Sequence, residues 1–232
     1  KKEMIARYEA IPEEERQGHP AYAAMVESVD QSVGRVMETL SELGLEDNTM
    51  VIVTSDNGGL WKATDHTPLR ANKGSHYEGG IRVPMIIKAP GISKRGTVNS
   101  VPVITNDLYP TILDIAGLPM RPYQHQDGVS LSALLDGGKS LDREDLFWHY
   151  PHYNQHPHSA PVSIIRRGSW KLIEFLETGE IELYNLSSDI GETKDESESQ
   201  PELASNLLAK LREWQVEVGA EPMRANPYYE GR

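Results

Sequence analysis

The sequence contains no cysteine among its 232 residues, which excludes disulfides, thiolate metal sites and a cysteine nucleophile within this stretch. It also lacks any apolar run near the ~20 residues that a membrane-spanning helix needs, so we expect no membrane span. Basic residues are few, with 23 Lys and Arg against 35 Asp and Glu. The net charge of −12 argues against a nucleic-acid partner, because binding a polyanion depends on clustered Lys and Arg. An anionic small substrate would need a local positive field from a bound cation or a placed lysine.

The length and the hydrophobic content of 38% suit one large domain or two modest ones. The chain starts at Lys1 without an initiator Met, and no apolar signal-peptide segment follows. We therefore expect a fragment or a processed chain.

The N-terminal part of the chain predicts an α/β arrangement. Apolar residues recur every three or four positions from His19 to Gly44, which predicts a surface helix that begins with Pro20 and covers a core. The β-branched run Met50 to Thr54 predicts a strand covered on both faces, as in a parallel sheet. The polar residues Ser55 to Gly59 follow that strand, and open α/β sheets place ligand sites at such strand ends.

Further elements follow along the chain. Ile81 to Ala89 predicts a second strand, and Thr105-Asn106-Asp107 predicts the start of a helix that runs through Ile115. Beyond Gly137-Gly138 the sequence changes to short apolar runs separated by turn signals. We therefore predict two parts, residues 1–138 and residues 139–232. In the second part, short apolar runs predict a small antiparallel sheet with strands at 146–148, 162–167, 170–175 and 181–186. Residues 187–200 predict a solvated acidic loop, and a terminal helix is predicted from Pro201 onward.

Three residues could carry chemistry on an anionic substrate. Asp56 and Asn57 are adjacent oxygen donors at a strand end and could hold Ca²⁺ or Mg²⁺, although Asp and Asn also end strands as simple turn residues. Lys73 lies in a loop rich in glycine, where an ammonium suits a sulfate or phosphate oxygen. The alternative for Lys73 is a solvated lysine, with Glu78 as a partner that contributes little.

The His-rich segment has a different interpretation. His149, His152, His156 and His158 have no helix to fix their spacing, so the rim of a pocket or an exposed loop fits better than a zinc site. We assign no nucleophile to Ser159-Ala160-Pro161.

Several stretches occur together and in order in a known family. The stretch YAAMVESVDQSVGRVMETLSELGLEDNTMVIVTSDNGG is followed by PLRANKGSHYEGGIRVPMIIKAPG and by TNDLYPTILDIAG. These resemble the arylsulfatase-type sulfatases of the alkaline-phosphatase superfamily, from Tyr22 to at least Gly128. The later stretches SIIRRGSWKLIEF and ELYNLSSDIGE resemble the C-terminal subdomain of that family. The resemblance implies an α/β alkaline-phosphatase-like fold, with a parallel or mixed sheet flanked by helices, plus a small C-terminal antiparallel sheet with a terminal helix.

The resemblance also implies roles for residues. Asp56 and Asn57 match the second pair of metal ligands of the family, with Ca²⁺ expected rather than Mg²⁺, and Lys73 matches the lysine that grips the sulfate group. Glu78, Gly79, Gly80 and Arg82 match the family motif as loop scaffolding. His66 and Arg70 flank Lys73 and are candidates for binding the sugar or aryl part of the substrate.

The resemblance leaves one component outside this chain. In the family the nucleophile is a formylglycine made from Cys or Ser, and it lies well upstream of the Asp-Asn pair. We therefore expect a calcium-assisted sulfatase whose nucleophile comes from a preceding N-terminal part, and we expect this stretch alone to be inactive. A phosphodiesterase or phosphonate hydrolase of the same superfamily, and a non-catalytic fragment, are the alternatives. The resemblance also favours a periplasmic, extracellular or lysosomal-type location.

Overall fold

The structure, a computed structural model, describes residues 1–224, and the chain divides into two units. The first unit comprises residues 1–56, 60–65 and 83–143. The second comprises residues 57–59, 66–82 and the chain from residue 144 onward. No helix within residues 1–224 is both long enough and apolar enough to cross a membrane.

Two helices open the first unit. Helix α1 spans Lys2–Glu9, and helix α2 spans Pro20–Glu42. The predicted α2 is confirmed at both ends, because Pro20 is its first residue and Gly44, with a φ of +66°, lies just beyond its last turn. Met4 of α1 is buried, and its sulfur lies 3.6 Å from the Ser28 hydroxyl of α2. No pattern in the sequence predicted α1.

The predicted apolar face of α2 is largely exposed within the described residues. Met25, Val29 and Leu43 keep 63%, 59% and 65% of their surface accessible, whereas Ala24 is buried. The expectation that this face covers a core is therefore wrong for residues 1–224. The periodicity identified a helix with an apolar face, but it could not identify what packs against that face.

A two-stranded antiparallel sheet follows. Strand β1 (Val51–Thr54) pairs with strand β2 (Met85–Lys88), so that Val51 lies opposite Lys88. The position of β1 is confirmed, but its apolar residues are half-buried, so the expected cover on both faces is wrong within the described chain. The predicted strand Ile81 to Ala89 is shortened, because Ile81 belongs to a helical turn, α3 (Glu78–Ile81).

The rest of the first unit is held by a buried carboxylate. Helix α4 spans Leu108–Ile115, and helix α5 spans Ser132–Leu135. The fully buried Asp107 carboxylate accepts the backbone N–H groups of Ile104 and Val129 at 2.9 and 3.0 Å. It also pairs with the Arg143 guanidinium at 2.5 and 2.8 Å. Asp107, which was predicted only to start a helix, therefore also connects three segments of the first unit.

The C-terminal part of the second unit contains the predicted small antiparallel sheet, which has four strands that pair in sequence order. Its strands are β3 (Asp145–Tyr150), β4 (Val162–Arg167), β5 (Trp170–Phe175) and β6 (Ile181–Asn185). The predicted terminal helix is also present as α6 (Pro201–Glu217).

The two faces of this sheet have different covers. Leu207 and Leu211 of α6 pack with Ile165, Leu172 and Leu183 on one face. A second cluster contains Tyr77 together with Val162, Ile164, Ile173, Tyr184 and Leu186, so segment 66–82 packs on the sheet through Tyr77. Both faces of strand β5 are therefore covered, and its residues Lys171 to Glu174 are buried.

Candidate active site

Lys73 lies on a turn of segment 66–82. Its backbone N–H donates to the Gly59 carbonyl oxygen at 3.0 Å, and the Ser75 N–H donates to the Asn72 carbonyl oxygen at 3.0 Å. Gly74 adopts a φ of +92°, which favours glycine because it has no Cβ. The Lys73 side chain is exposed, so the turn presents an ammonium to solvent from a fixed backbone.

Asp56 and Asn57 follow strand β1, as predicted, because the strand ends at Thr54. Asp56 is exposed and Asn57 is half-buried. Both side chains carry oxygen, which is the ligand type that Ca²⁺ prefers. Within residues 1–224, no three His, Asp or Glu side chains are grouped to hold a metal ion. The pair fits two positions of the six-to-eight-oxygen shell of Ca²⁺.

Gly58, Gly79 and Gly80 lie where backbone segments of the second unit approach closely. The Gly58 N–H donates to the Gly80 carbonyl oxygen at 2.9 Å. A Cβ on Gly58 would lie 1.8 Å from the Gly79 carbonyl oxygen, and a Cβ on Gly80 would lie 2.1 Å from the Ser75 carbonyl oxygen. The scaffolding role expected for Gly79 and Gly80 therefore has a specific reason, which is close backbone approach beside Asn57 and Lys73.

A buried ion cluster lies beneath this segment. Lys171 on strand β5 is fully buried, and its ammonium donates to the Glu78 and Glu192 carboxylates at 3.1 and 2.7 Å. Arg166 and Arg82 lie 3.8 and 3.6 Å from the other Glu78 oxygen. Burial raises the pKa of Glu192, and the Lys171 ammonium acts in the opposite direction. Glu78 therefore pairs with Lys171, whereas the alternative interpretation of the sequence paired it with Lys73.

No sequence pattern indicated the roles of Lys171 and Glu192. The segment 187–200 was expected to be a solvated loop, and this expectation is wrong for Glu192, which is 1% exposed. The neighbouring acidic residues Asp189 and Asp195 also order this loop by accepting backbone N–H groups. The one available signal was the presence of two charged residues, Lys171 and Glu174, in the mostly apolar strand Trp170–Phe175.

Arg70 and His66 were predicted to bind the substrate. The Arg70 guanidinium donates to the Tyr184 hydroxyl at 2.8 Å and to the Glu192 carbonyl oxygen at 2.9 Å. It also lies 3.7 Å from the centre of the Tyr77 ring. These contacts anchor Arg70 inside the second unit. His66 is half-buried, and its Nε2 has no hydrogen-bond partner within the described chain. Substrate binding by either residue stays a prediction.

The His-rich segment contacts both neighbours of Lys73. Asn154 donates from its amide to the Gly74 carbonyl oxygen at 2.8 Å, and His156 Nε2 lies 2.5 Å from Asn72 Oδ1. His149 is instead engaged through both ring nitrogens, with Ser163 Oγ at 2.7 Å and the Glu221 carbonyl oxygen at 2.8 Å. The segment therefore supports the turn that carries Lys73.

A cavity of about 320 Å³ lies within the second unit. Its lining includes Gly74, His76, Trp148, His149 and Tyr150, so it adjoins the residue after Lys73 and confirms that the His-rich segment borders a pocket. Burial, and next the charge of Lys171, lowers the pKa of His76 from 6.5 to about 3. The ring is therefore neutral at physiological pH. Aromatic rings beside few polar groups are typical of small-molecule sites.

Comparisons with known proteins agree with these observations. The protein-family model for Sulfatase matches residues 1–118. The family model for N-sulphoglucosamine sulphohydrolase, C-terminal, matches residues 71–217. A sulfatase of Formosa agariphila is 38% identical over 94% of this chain and 44% of its own length. Arylsulfatase K of Bos taurus is 35% identical over 82% of this chain and 35% of its own length. The chain thus spans less than half of these curated relatives.

Solved structures show the same fold. The structure of Ps i-CgsB in complex with k-i-k-neocarrahexaose is 33% identical, with a TM-score of 0.76 over 92% of this chain and 46% of that one. The structure of BT4656 in complex with D-Glucosamine-2-N, 6-O-disulfate is 28% identical, with a TM-score of 0.75 over 88% of this chain and 41% of that one. The expected alkaline-phosphatase-like fold class is therefore confirmed.

Proposed function

Because this chain belongs to the sulfatase family, we propose that it is the C-terminal part of a sulfuric ester hydrolase in which Lys73 binds the sulfate group. The observation that carries this proposal is the backbone bond from Lys73 to Gly59. This bond joins the backbone of Lys73, whose side chain is exposed, to Gly59, which lies two residues after Asn57 in the segment that follows strand β1. A positive group on a fixed turn is what an anionic ester requires in a chain of net charge −12.

Each of the three residues has a chemical role in this proposal. The Lys73 ammonium offsets negative charge on the non-bridging sulfuryl oxygens as the ester bond breaks, an electrostatic contribution of the kind that oxyanion donors make. Asp56 and Asn57 would supply two oxygen ligands to Ca²⁺. When bound, Ca²⁺ would polarise the nucleophile and a sulfate oxygen. The nucleophile, a formylglycine, would come from a segment outside these 232 residues.

We propose a sulfated sugar as the substrate. Two structures of similar proteins contain k-i-k-neocarrahexaose and D-Glucosamine-2-N, 6-O-disulfate, and these names support a sugar ester over an aryl ester. The cavity beside Gly74 offers the rings of Trp148 and Tyr150, and aromatic faces suit the apolar face of a sugar ring. His66 remains a candidate for reading the sugar, and so does Arg70 if it leaves its present partners.

The first test is the substrate class. The full-length protein should hydrolyse a chromogenic sulfate ester in the presence of Ca²⁺ and should lose this turnover with a chelator. Faster turnover of a phosphate diester or a phosphonate would favour the other hydrolases of the superfamily. Residues 1–232 expressed alone should be inactive because they lack the nucleophile, and sulfatase turnover by this stretch would contradict that assignment.

The location of the protein is also part of the proposal. Membership of the sulfatase family supports a periplasmic, extracellular or lysosomal-type compartment. Fractionation of the source cells would test this, and recovery of the full-length protein only in the cytoplasm would contradict it.

A further inference from the structure

We propose that Lys171 and Glu192 are positioning residues that clamp segment 66–82 and so fix the placement of Lys73 and Asn57. This inference rests on the proposed function, because it assigns the clamp a part in sulfate binding. Neither residue faces solvent, since Lys171 is fully buried and Glu192 is 1% exposed.

Lys171 satisfies three acceptors with its three donors. Its ammonium donates to the His76 carbonyl oxygen at 3.1 Å, to Glu78 Oε1 at 3.1 Å and to Glu192 Oε1 at 2.7 Å. Two of these acceptors belong to segment 66–82. A lysine at the second position of strand β5 therefore attaches that segment to the sheet with a fixed geometry.

Glu192 completes the clamp from the opposite side. Its Oε2 accepts the Glu78 backbone N–H at 2.7 Å, and its carbonyl oxygen accepts the Arg70 guanidinium at 2.9 Å. Glu192 also adopts a φ of +50°, a left-handed conformation that is unfavourable for a residue with a Cβ. Such a conformation persists where surrounding contacts over-determine it, and here those contacts include Arg70 and Glu78 of segment 66–82 and Lys171 of strand β5.

A short chain of backbone bonds connects the clamp to the proposed site. The Gly79 N–H donates to the Arg70 carbonyl oxygen at 2.8 Å, and the Gly58 N–H donates to the Gly80 carbonyl oxygen at 2.9 Å. One residue later, the Gly59 carbonyl oxygen accepts the Lys73 N–H. Each link joins backbone to backbone, so a shift of Glu78 is passed to both Asn57 and Lys73.

Stability alone does not account for this arrangement. Buried ion clusters add little net stability relative to well-packed apolar side chains. The clearer benefit of the clamp is that it positions Lys73 and Asn57, since misplacement of a catalytic group by about 1 Å can reduce turnover by about 10²-fold.

The test compares Glu192→Gln and Lys171→Met with Glu174→Gln in the full-length enzyme. Glu174 is a matched control because it is a buried carboxylate, 6% exposed, on the same strand as Lys171. Its partner is Arg212 of α6, 2.7 Å away. Steady-state kinetics on a sulfate ester and hydrogen exchange of residues 66–82 are measured well below the melting temperature of each variant.

We expect Glu192→Gln and Lys171→Met to lower kcat by about tenfold or more and to speed amide exchange in residues 70–80. The change in kcat should exceed the change in KM, and Glu174→Gln should leave kcat and the exchange of this segment as in the wild type. Equal effects of Glu192→Gln and Glu174→Gln would overturn the clamp, even if Lys171→Met does not fold. If the wild type lacks sulfatase turnover, the proposed function fails, while unchanged exchange in Glu192→Gln would separately overturn the clamp.

Discussion

Replacing Gly58 by alanine probes the contact on which the candidate site depends. The new Cβ would lie 1.8 Å from the Gly79 carbonyl oxygen, whereas real Cβ atoms stay beyond about 3.0 Å from such neighbours. The two backbones must therefore separate by roughly the difference between these distances. This would stretch the 2.9 Å hydrogen bond between Gly58 and Gly80 beyond bonding range.

The energetic effect follows from two contributions. Overpacking of a tight contact costs about 1–3 kcal/mol, and loss of one hydrogen bond costs about 0.5–1.5 kcal/mol. We therefore expect Gly58→Ala to lower the free energy of unfolding by about 1.5–4.5 kcal/mol. Displacement of Asn57 should also weaken Ca²⁺ binding, which calorimetric titration of the full-length protein would measure.

Gly34→Ala supplies the matched control for Gly58→Ala. Gly34 lies in helix α2 with nothing within 4 Å of the added Cβ. The same chemical change should there stabilise the protein by about 0.5–1 kcal/mol, because alanine restricts the unfolded chain and favours a helix. Urea denaturation compares the two variants. Equal unfolding midpoints for Gly58→Ala and the wild type would refute the close backbone packing.

Three further predictions concern single side chains. Asp107→Ala leaves Arg143 and two backbone N–H groups without their acceptor, so urea denaturation should show a loss of about 3–5 kcal/mol. His76 is held neutral, with a pKa of about 3 against 6.5 when unfolded, so its contribution to stability is present above pH 6.5 and declines as the pH falls towards 3. His76→Phe should therefore flatten the fall of the melting temperature with acidification, and an unchanged slope would contradict this. His156→Ala removes the contact with Asn72, so the KM for a sulfate ester should rise about 2–10-fold with unchanged stability. An unaltered KM would show that His156 does not support the turn that carries Lys73.

Local patterns predicted most of the regular elements. The 3.6-residue period identified α2 and α6, and the short apolar runs between turn signals identified β3 to β6. These signals depend on neighbouring residues, so they survive without knowledge of the rest of the fold. The positions of Asp56 and Asn57 after β1 followed for the same reason.

Long-range polar contacts were beyond such patterns. Lys171 meets Glu78 across 93 positions, and the Glu78 N–H meets Glu192 across 114 positions. Strand β5 is covered on both faces, so alternation could not distinguish an inward lysine from an outward one. The sequence likewise showed that Arg70 is near Lys73 but not that its guanidinium is engaged by Tyr184 and Glu192.

The apolar face of α2 illustrates another limit. Periodicity correctly indicates that one side of a helix is apolar, but it carries no information on the partner surface. Met25 and Val29 therefore remain exposed in a structure whose helix was predicted correctly.

The most direct test of the account is the turnover of Lys73→Ala in the full-length enzyme, with Lys139→Ala as the control. Lys139 is another exposed lysine, and it lies in the first unit. On a chromogenic sulfate ester with Ca²⁺, Lys73→Ala should lose about 10²–10³ in kcat with an unchanged melting temperature, and Lys139→Ala should match the wild type. Turnover of Lys73→Ala close to that of Lys139→Ala would contradict the assignment of Lys73 to the sulfate group.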